Sequence, residues 1–104
     1  LMILYNVTVN IDDSVHDEWL EWMTTKHIPD VLATGLFEGN KIYKIEEPEA
    51  EEGKSYSIQY FCRSMEEYSK YRIEFAPALQ AEHEKKYAGK FFAFRSILKE
   101  IEKG

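Results

Sequence analysis

The stretch from Trp19 to Phe37, WLEWMTTKHIPDVLATGLF, most constrains what this chain can fold into. It places two tryptophans, a histidine and a proline in one helical segment that must stop at Gly35 and run directly into an aromatic strand. At roughly 100° per residue, Val15, Trp19, Trp22 and Met23 share one face, with Asp17, Glu18, Glu21 and Thr25 opposite, so one side packs and the other is solvated. The spacing predicts a helix over about 15–34. Ser14 and Asp17 should open it as an acidic variant of the capping box. Pro29 should kink or restart it, because proline has no N–H to donate, and Gly35 suits a left-handed C-cap.

Before this helix, Ile3, Tyr5, Val7, Val9 and Ile11 alternate with Leu4, Asn6, Thr8 and Asn10, the period of a half-buried strand over 2–11. After it, strands are expected over 36–45 and 56–63, joined by the acidic run from Glu46 to Gly53. That run lacks the Asp/Asn/Gly spacing of a calcium loop and reads as a solvated hairpin tip. Ser64 with Glu67 three residues on forms a capping box for a second helix reaching about Tyr87 and bent at Pro77. Gly89 precedes a last strand over 91–101, with Phe92, Phe94, Ser96 and Leu98 on one face. The order strand, helix, strand, strand, helix, strand is that of a ferredoxin-like βαββαβ sandwich, an α+β fold with both helices on one sheet face.

At 104 residues there is room for one such domain, spanning 1–104. The other sheet face, with Leu4, Asn6, Thr8 and Asn10, is left uncovered, and a second copy of the chain is its economical cover, giving a two-fold homodimer. Nineteen acidic against thirteen basic residues, a net charge of -6, oppose binding to nucleic acid or to anionic membranes. No apolar run is long enough to span a bilayer, and the N-terminal alternation is unlike a signal peptide, so a cytoplasmic location is expected. The lone Cys62 can form no internal disulfide and fits a reducing compartment.

The first strand together with Trp19-x-x-Trp22, His27-Ile28-Pro29-Asp30-Val31 and Thr34-Gly35-Leu36-Phe37 resembles the dimeric α+β barrel superfamily. That superfamily includes antibiotic-biosynthesis monooxygenases, EthD-type proteins and heme-degrading monooxygenases. Over its full length the chain more closely resembles a bacterial family of short single-domain proteins of unknown function. The segments Phe75-Ala76-Pro77-Ala78-Leu79-Gln80-Ala81-Glu82-His83 and Gly89-Lys90-Phe91-Phe92-Ala93-Phe94-Arg95 carry this second likeness. The superfamily resemblance implies a ferredoxin-like fold forming a dimeric α+β barrel, with a ligand pocket between helices and sheet. Fold alone does not fix activity.

Four polar side chains stand out because they project along apolar stripes. On the first helix, His27 follows Met23 by four residues, and Lys26 falls between the directions of the two tryptophans. On the second helix, Met65, Tyr68, Phe75 and Leu79 mark an apolar stripe that Arg72 and His83 interrupt, and their separation of almost three turns puts both on one face. A histidine can move a proton near neutral pH, and a buried arginine can grip a carboxylate or enolate. His83 and His27 are therefore the candidate catalytic groups, and Arg72, Tyr60 and Trp22 the candidate ligand contacts. Structural roles are the alternatives: an ion pair for Arg72, capping of a helix end for His83, and a backbone hydrogen bond for His27. His27 and Asp30 have metal-like spacing without further ligands, so no metal is expected, and no cofactor. Cys62 reads as a core residue rather than a nucleophile.

Three functions follow as expectations. The first is a dimeric module binding a small, partly apolar or anionic molecule. The second is a cofactor-free monooxygenase, isomerase or cyclase of the superfamily. The third is a non-catalytic protein-interaction module. Heme degradation fits less well: a histidine late in the second helix matches at His83, but Cys62 stands where that subfamily has its pocket tryptophan, and Tyr5 stands near its asparagine position.

Overall fold

A computed structural model describes residues 2–104; Leu1, the first residue of the expected domain, lies outside them. Strand β1 spans Ile3–Ile11, β2 Gly39–Lys44, β3 Lys54–Cys62 and β4 Phe91–Lys99. They form one antiparallel sheet in the order β2-β3-β1-β4. The two helical connections, from β1 to β2 and from β3 to β4, each pass over a central strand. This is the expected ferredoxin-like βαββαβ arrangement.

Strand alternation sorts the residues as the sequence requires. Tyr5 lies opposite Tyr60 on one side and Ile97 on the other, and Val7 lies between Ile58 and Arg95. The side chains of Ile3, Tyr5, Val9 and Ile11, with Tyr56, Ile58, Tyr60 and Cys62, are buried beneath the helices with Trp19, Met23, Val31, Tyr71 and Tyr87. The opposite face has no helix over it. Down its middle runs a hydrogen-bonded polar stripe: the Ser57 hydroxyl donates to Asn6 Oδ1 (2.6 Å), the Asn6 amide to Thr8 Oγ1 (3.0 Å) and the Gln59 amide to Ser57 Oγ (3.2 Å). Along β4 the same face leaves Phe92, Phe94 and Leu98 open at 70%, 60% and 50% exposure.

The first helical arm consists of a short 3-10 turn at Asp13–Val15, α1 at His16–Trp22, a wider π-helical turn at Met23–His27, and α2 at Ile28–Leu32. The predicted Ser14 cap is corrected: Asp12 is the cap, accepting from the Ser14 N–H at 2.8 Å and the Ser14 hydroxyl at 2.6 Å. Asp12 wins because its carboxylate reaches the amide two residues on, leaving the Ser14 oxygen occupied as a donor. Pro29 sits in the first turn of α2, where the helix restarts after the π turn, one of the two expected outcomes. Its missing N–H is absorbed one turn earlier, where the Ile28 N–H bonds to the Met23 carbonyl, and the Thr24 and Thr25 hydroxyls donate to carbonyls a turn back. Gly35 closes the arm at φ +79°, as expected.

The second arm is two helices, α3 at Met65–Glu74 and α4 at Ala76–Tyr87, separated at Phe75. Ser64 Oγ accepts from the Glu67 N–H at 3.2 Å, the expected cap, and Pro77 sits in the first turn of α4, where a missing N–H costs nothing. His16 is half-buried, its Nε2 2.6 Å from the Tyr56 hydroxyl. Among the described residues no helix is long and apolar enough to cross a membrane.

Candidate functional site

The separation at Phe75 changes what the second arm presents. Phe75 adopts φ −121°, outside the helical range, so the phase of α3 is not continued into α4. Projecting both as one helix put Arg72 beside His83; the structure puts Arg72 on the surface, outside the cavity, and gives the buried position to Tyr71. On α4, Ala76, Gln80, His83 and Tyr87 recur at helical spacing and face the sheet, with Gln80 half-buried.

Between the two arms and the sheet lies a recess of about 30 Å³, room for about two waters. His27 and Val31 approach it from the first arm, and Tyr71, Gln80 and His83 from the second. Its floor includes Tyr5, Tyr60 and Ile58, and β4 contributes Phe91, Ala93 and Arg95. Gln80, His83, Phe91, Ala93 and Arg95 also line an outer groove of about 450 Å³ between α4 and β4, with Pro77, Ala81, Glu84 and Phe92. Inner recess and outer groove therefore share one polar throat. The groove alone has the volume of a small-molecule site.

Two hydrogen bonds hold the throat. The Trp19 indole N–H donates to His83 Nε2 at 2.9 Å, and Arg95 donates its Nε hydrogen to the Tyr5 hydroxyl at 3.1 Å. Tyr5 is itself fixed among the rings of Phe37, Tyr60, Tyr68 and Tyr71 at 5.3–6.1 Å. His83, 8% exposed, meets Phe91 edge-on at 4.2 Å and stands 5.7 Å from the His27 ring. Burial, then the neighbouring His27 and Arg95, pushes the His83 imidazole down to about 4. Burial also lowers His27, with Glu82 and Asp30 opposing. Both rings are thus held neutral at pH 7. The Tyr60 hydroxyl is pushed well above the usual range, chiefly by burial, so it stays protonated. His27 Nδ1 is buried without a partner among the described residues.

Of the candidate residues, Tyr60, His27 and His83 line one cavity and Arg72 does not. Trp22 does not line it: half-buried, it stacks on His27 at 5.0 Å and forms the outer wall of the histidine pair. Sequence reasoning passed over Arg95 and Gln80. Arg95 was detectable from the period of two, since Phe91, Ala93 and Arg95 share the helix-facing phase of β4, and Gln80 from its place between Ala76 and His83. Among the described residues no group of three or more His, Cys, Asp or Glu side chains is placed to hold a metal ion.

This sheet order, with both arms on one face, defines the ferredoxin-like fold of the dimeric α+β barrel proteins. The chain is similar to an EthD family protein from Bacillus halodurans C-125, with a TM-score of 0.70 at 16% identity over 95% of this chain and 99% of that one. It is also similar to a variant of SnoaB, a cofactor-independent oxygenase from Streptomyces nogalater, with a TM-score of 0.69 at 7% identity over 97% and 94%. A dimeric ferredoxin-like protein from an uncultured marine organism aligns with a TM-score of 0.61 at 6% identity over 99% and 98%. At these identities the likeness establishes the fold alone. Residues 2–101 match the model of DUF4286, a domain of unknown function, and the chain belongs to that family. None of the curated proteins matches it.

Proposed function

We propose that this chain is a homodimeric small-molecule-binding module whose ligand enters the groove between α4 and β4 and presents a polar head to the throat. One observation carries the reading. Gln80, His83 and Arg95 converge at the join between a 450 Å³ groove and a polar recess, inside a layer that is otherwise aromatic and aliphatic. Of the three, His83 is buried, Gln80 half-buried and Arg95 exposed at the rim, so polar groups line the way from solvent to the recess, and a buried polar ring is costly unless a ligand or water satisfies it. Phe91 and Phe92 along the groove offer surface to an apolar body. Arg95 supplies the positive charge beside them and favours an anionic or strongly dipolar head.

A homodimer through the open sheet face is part of the same reading: it would cover Phe94 and Leu98, and the fold neighbour from the marine organism is described as dimeric. A cofactor-free catalytic role is the second reading, favoured by His27 beside His83: a neutral His27 imidazole whose Nδ1 has no partner among the described residues can take a proton.

Intact-complex mass spectrometry of the protein as purified tests the reading. A dimer carrying a small-molecule adduct, lost in Arg95→Met, is expected. A bare chain that also gains no thermal stability from a panel of small carboxylates and phenols would contradict it.

A further inference from the structure

Trp19 and His83 are joined by a hydrogen bond whose direction is chemically fixed. An indole N–H can only donate, so His83 Nε2 must accept and carries no hydrogen. The single hydrogen of the neutral ring then sits on Nδ1. His83 cannot take a proton at Nε2 without expelling Trp19, and at Nδ1 it has no lone pair to offer. Trp19 cannot turn away, being fully enclosed at 0% exposure and packed against Tyr56 at 5.3 Å. His83 is equally confined by the Phe91 edge at 4.2 Å and by Tyr87 and Trp22 at 5.6 and 5.8 Å.

We infer that His83 is a permanent hydrogen-bond donor, locked by Trp19 in the Nδ1–H form, and that the throat it shares with Arg95 takes an acceptor oxygen: a carboxylate, phenolate, enolate or carbonyl. This rests on the small-molecule reading above and names the chemical class of its ligand. Arg95 is a donor in every state. Its Nε is spent on Tyr5, which leaves the terminal nitrogens of the guanidinium for the ligand. A cationic amine at the throat would meet a positive charge and a fixed N–H and is disfavoured there, Glu84 along the groove being the one acidic group of that lining. A ligand needing a base at this point would not be served by His83. Trp19 is a positioning residue here: it touches no ligand and acts by setting which nitrogen of His83 bears the hydrogen.

Ring nitrogens of the whole protein, labelled with nitrogen-15, report this directly in long-range proton–nitrogen spectra at pH 7. His83 is expected to show a protonated Nδ1 and a bare Nε2; a protonated Nε2 or a charged ring overturns the assignment whether or not any variant folds. Trp19→Phe, where it folds, should release the ring into a mixture of tautomers, and an unchanged tautomer would remove Trp19 from the role. Benzoate and benzylamine, added separately at equal concentration, test the ligand class. Benzoate should shift the His83 Nδ1–H and Arg95 Nε–H signals and bind at least tenfold more weakly to Arg95→Met. Equal response to benzylamine, or no response to benzoate, overturns the class. A ligand-free protein with His83 in the Nδ1–H form would remove the binding reading and leave the lock, whereas a bound adduct with His83 in the other tautomer would do the reverse.

Discussion

Arg95 reaches from the edge strand across Val7 to donate to the hydroxyl of Tyr5 on the neighbouring strand, at 3.1 Å. The pairing orients a guanidinium over the throat without burying it, since Tyr5 supplies a neutral acceptor held rigidly by four surrounding rings. Arg95→Met keeps the length of the side chain and removes the charge. We expect ligand affinity to fall at least tenfold, about 1.4 kcal/mol, while stability changes by less than about 1 kcal/mol because the residue is largely exposed. Calorimetric titration and a denaturant melt check the two halves. Tyr5→Phe should give a smaller loss of affinity, since the guanidinium stays and only its anchor goes.

Acid should weaken the fold through His83. Its folded pKa of about 4 lies below the ordinary 6.5, so between those values the unfolded chain binds a proton that the folded chain refuses. Stability from this group is complete above pH 6.5, declines as pH falls through the window and levels off below about 4; His27, also lowered by burial, has the same sign. The loss between pH 7 and pH 5 from His83 alone should be about 2 kcal/mol. Urea titrations at the two pH values measure it, and His83→Gln should flatten the slope. An equally steep slope in that variant would show that His83 is not the group responsible.

How much of this was legible in the chain depended on whether the period held. Ile3, Tyr5 and Val9, and opposite them Cys62, Tyr60 and Tyr56, faced the helices as alternation required, because a strand offers each residue only two directions. Ser64 and Gly35 marked element ends for local reasons that need no tertiary knowledge. Arg72 failed because helical projection accumulates phase, and a single non-helical residue at Phe75 resets it. The π turn ahead of Pro29 alters the phase of the first arm in the same way, yet His27 still reaches the cavity, since its position was inferred over only one turn from Met23. Arg95 shares the helix-facing phase of its strand with Phe91 and Ala93, but an exposed edge-strand arginine looks in sequence like any solvated charge.

Trp22 and Trp19 should separate in stability. Trp22 is half-buried at the outer wall, so Trp22→Ala should cost about 2 kcal/mol, below the 3–5 kcal/mol of a fully buried tryptophan. Trp19→Ala should reach that higher range, since Trp19 is wholly enclosed. Denaturant midpoints at constant slope decide it, and equal losses would place both side chains in the same environment.

The open sheet face should carry the dimer. Phe94 lies opposite Thr8 at 60% exposure, beside Phe92 and Leu98. Light scattering at micromolar concentration is expected to give twice the monomer mass. Phe94→Lys should halve it while leaving the far-ultraviolet circular dichroism unchanged, because a charge there is harmless in the monomer and unpaired in the interface. A wild-type monomer would remove the assembly and leave the fold standing.

The central claim is that a ligand's acceptor oxygen sits between His83 and Arg95, and electron density from crystals of the protein as purified, with no small molecule added, tests it most directly. Density is expected in the groove between α4 and β4, with an oxygen within hydrogen-bond distance of His83 Nδ1 or a terminal nitrogen of Arg95 and an apolar body against Phe91 and Phe92. A groove filled only by ordered water in crystals of both the native protein and the protein soaked in benzoate would contradict it.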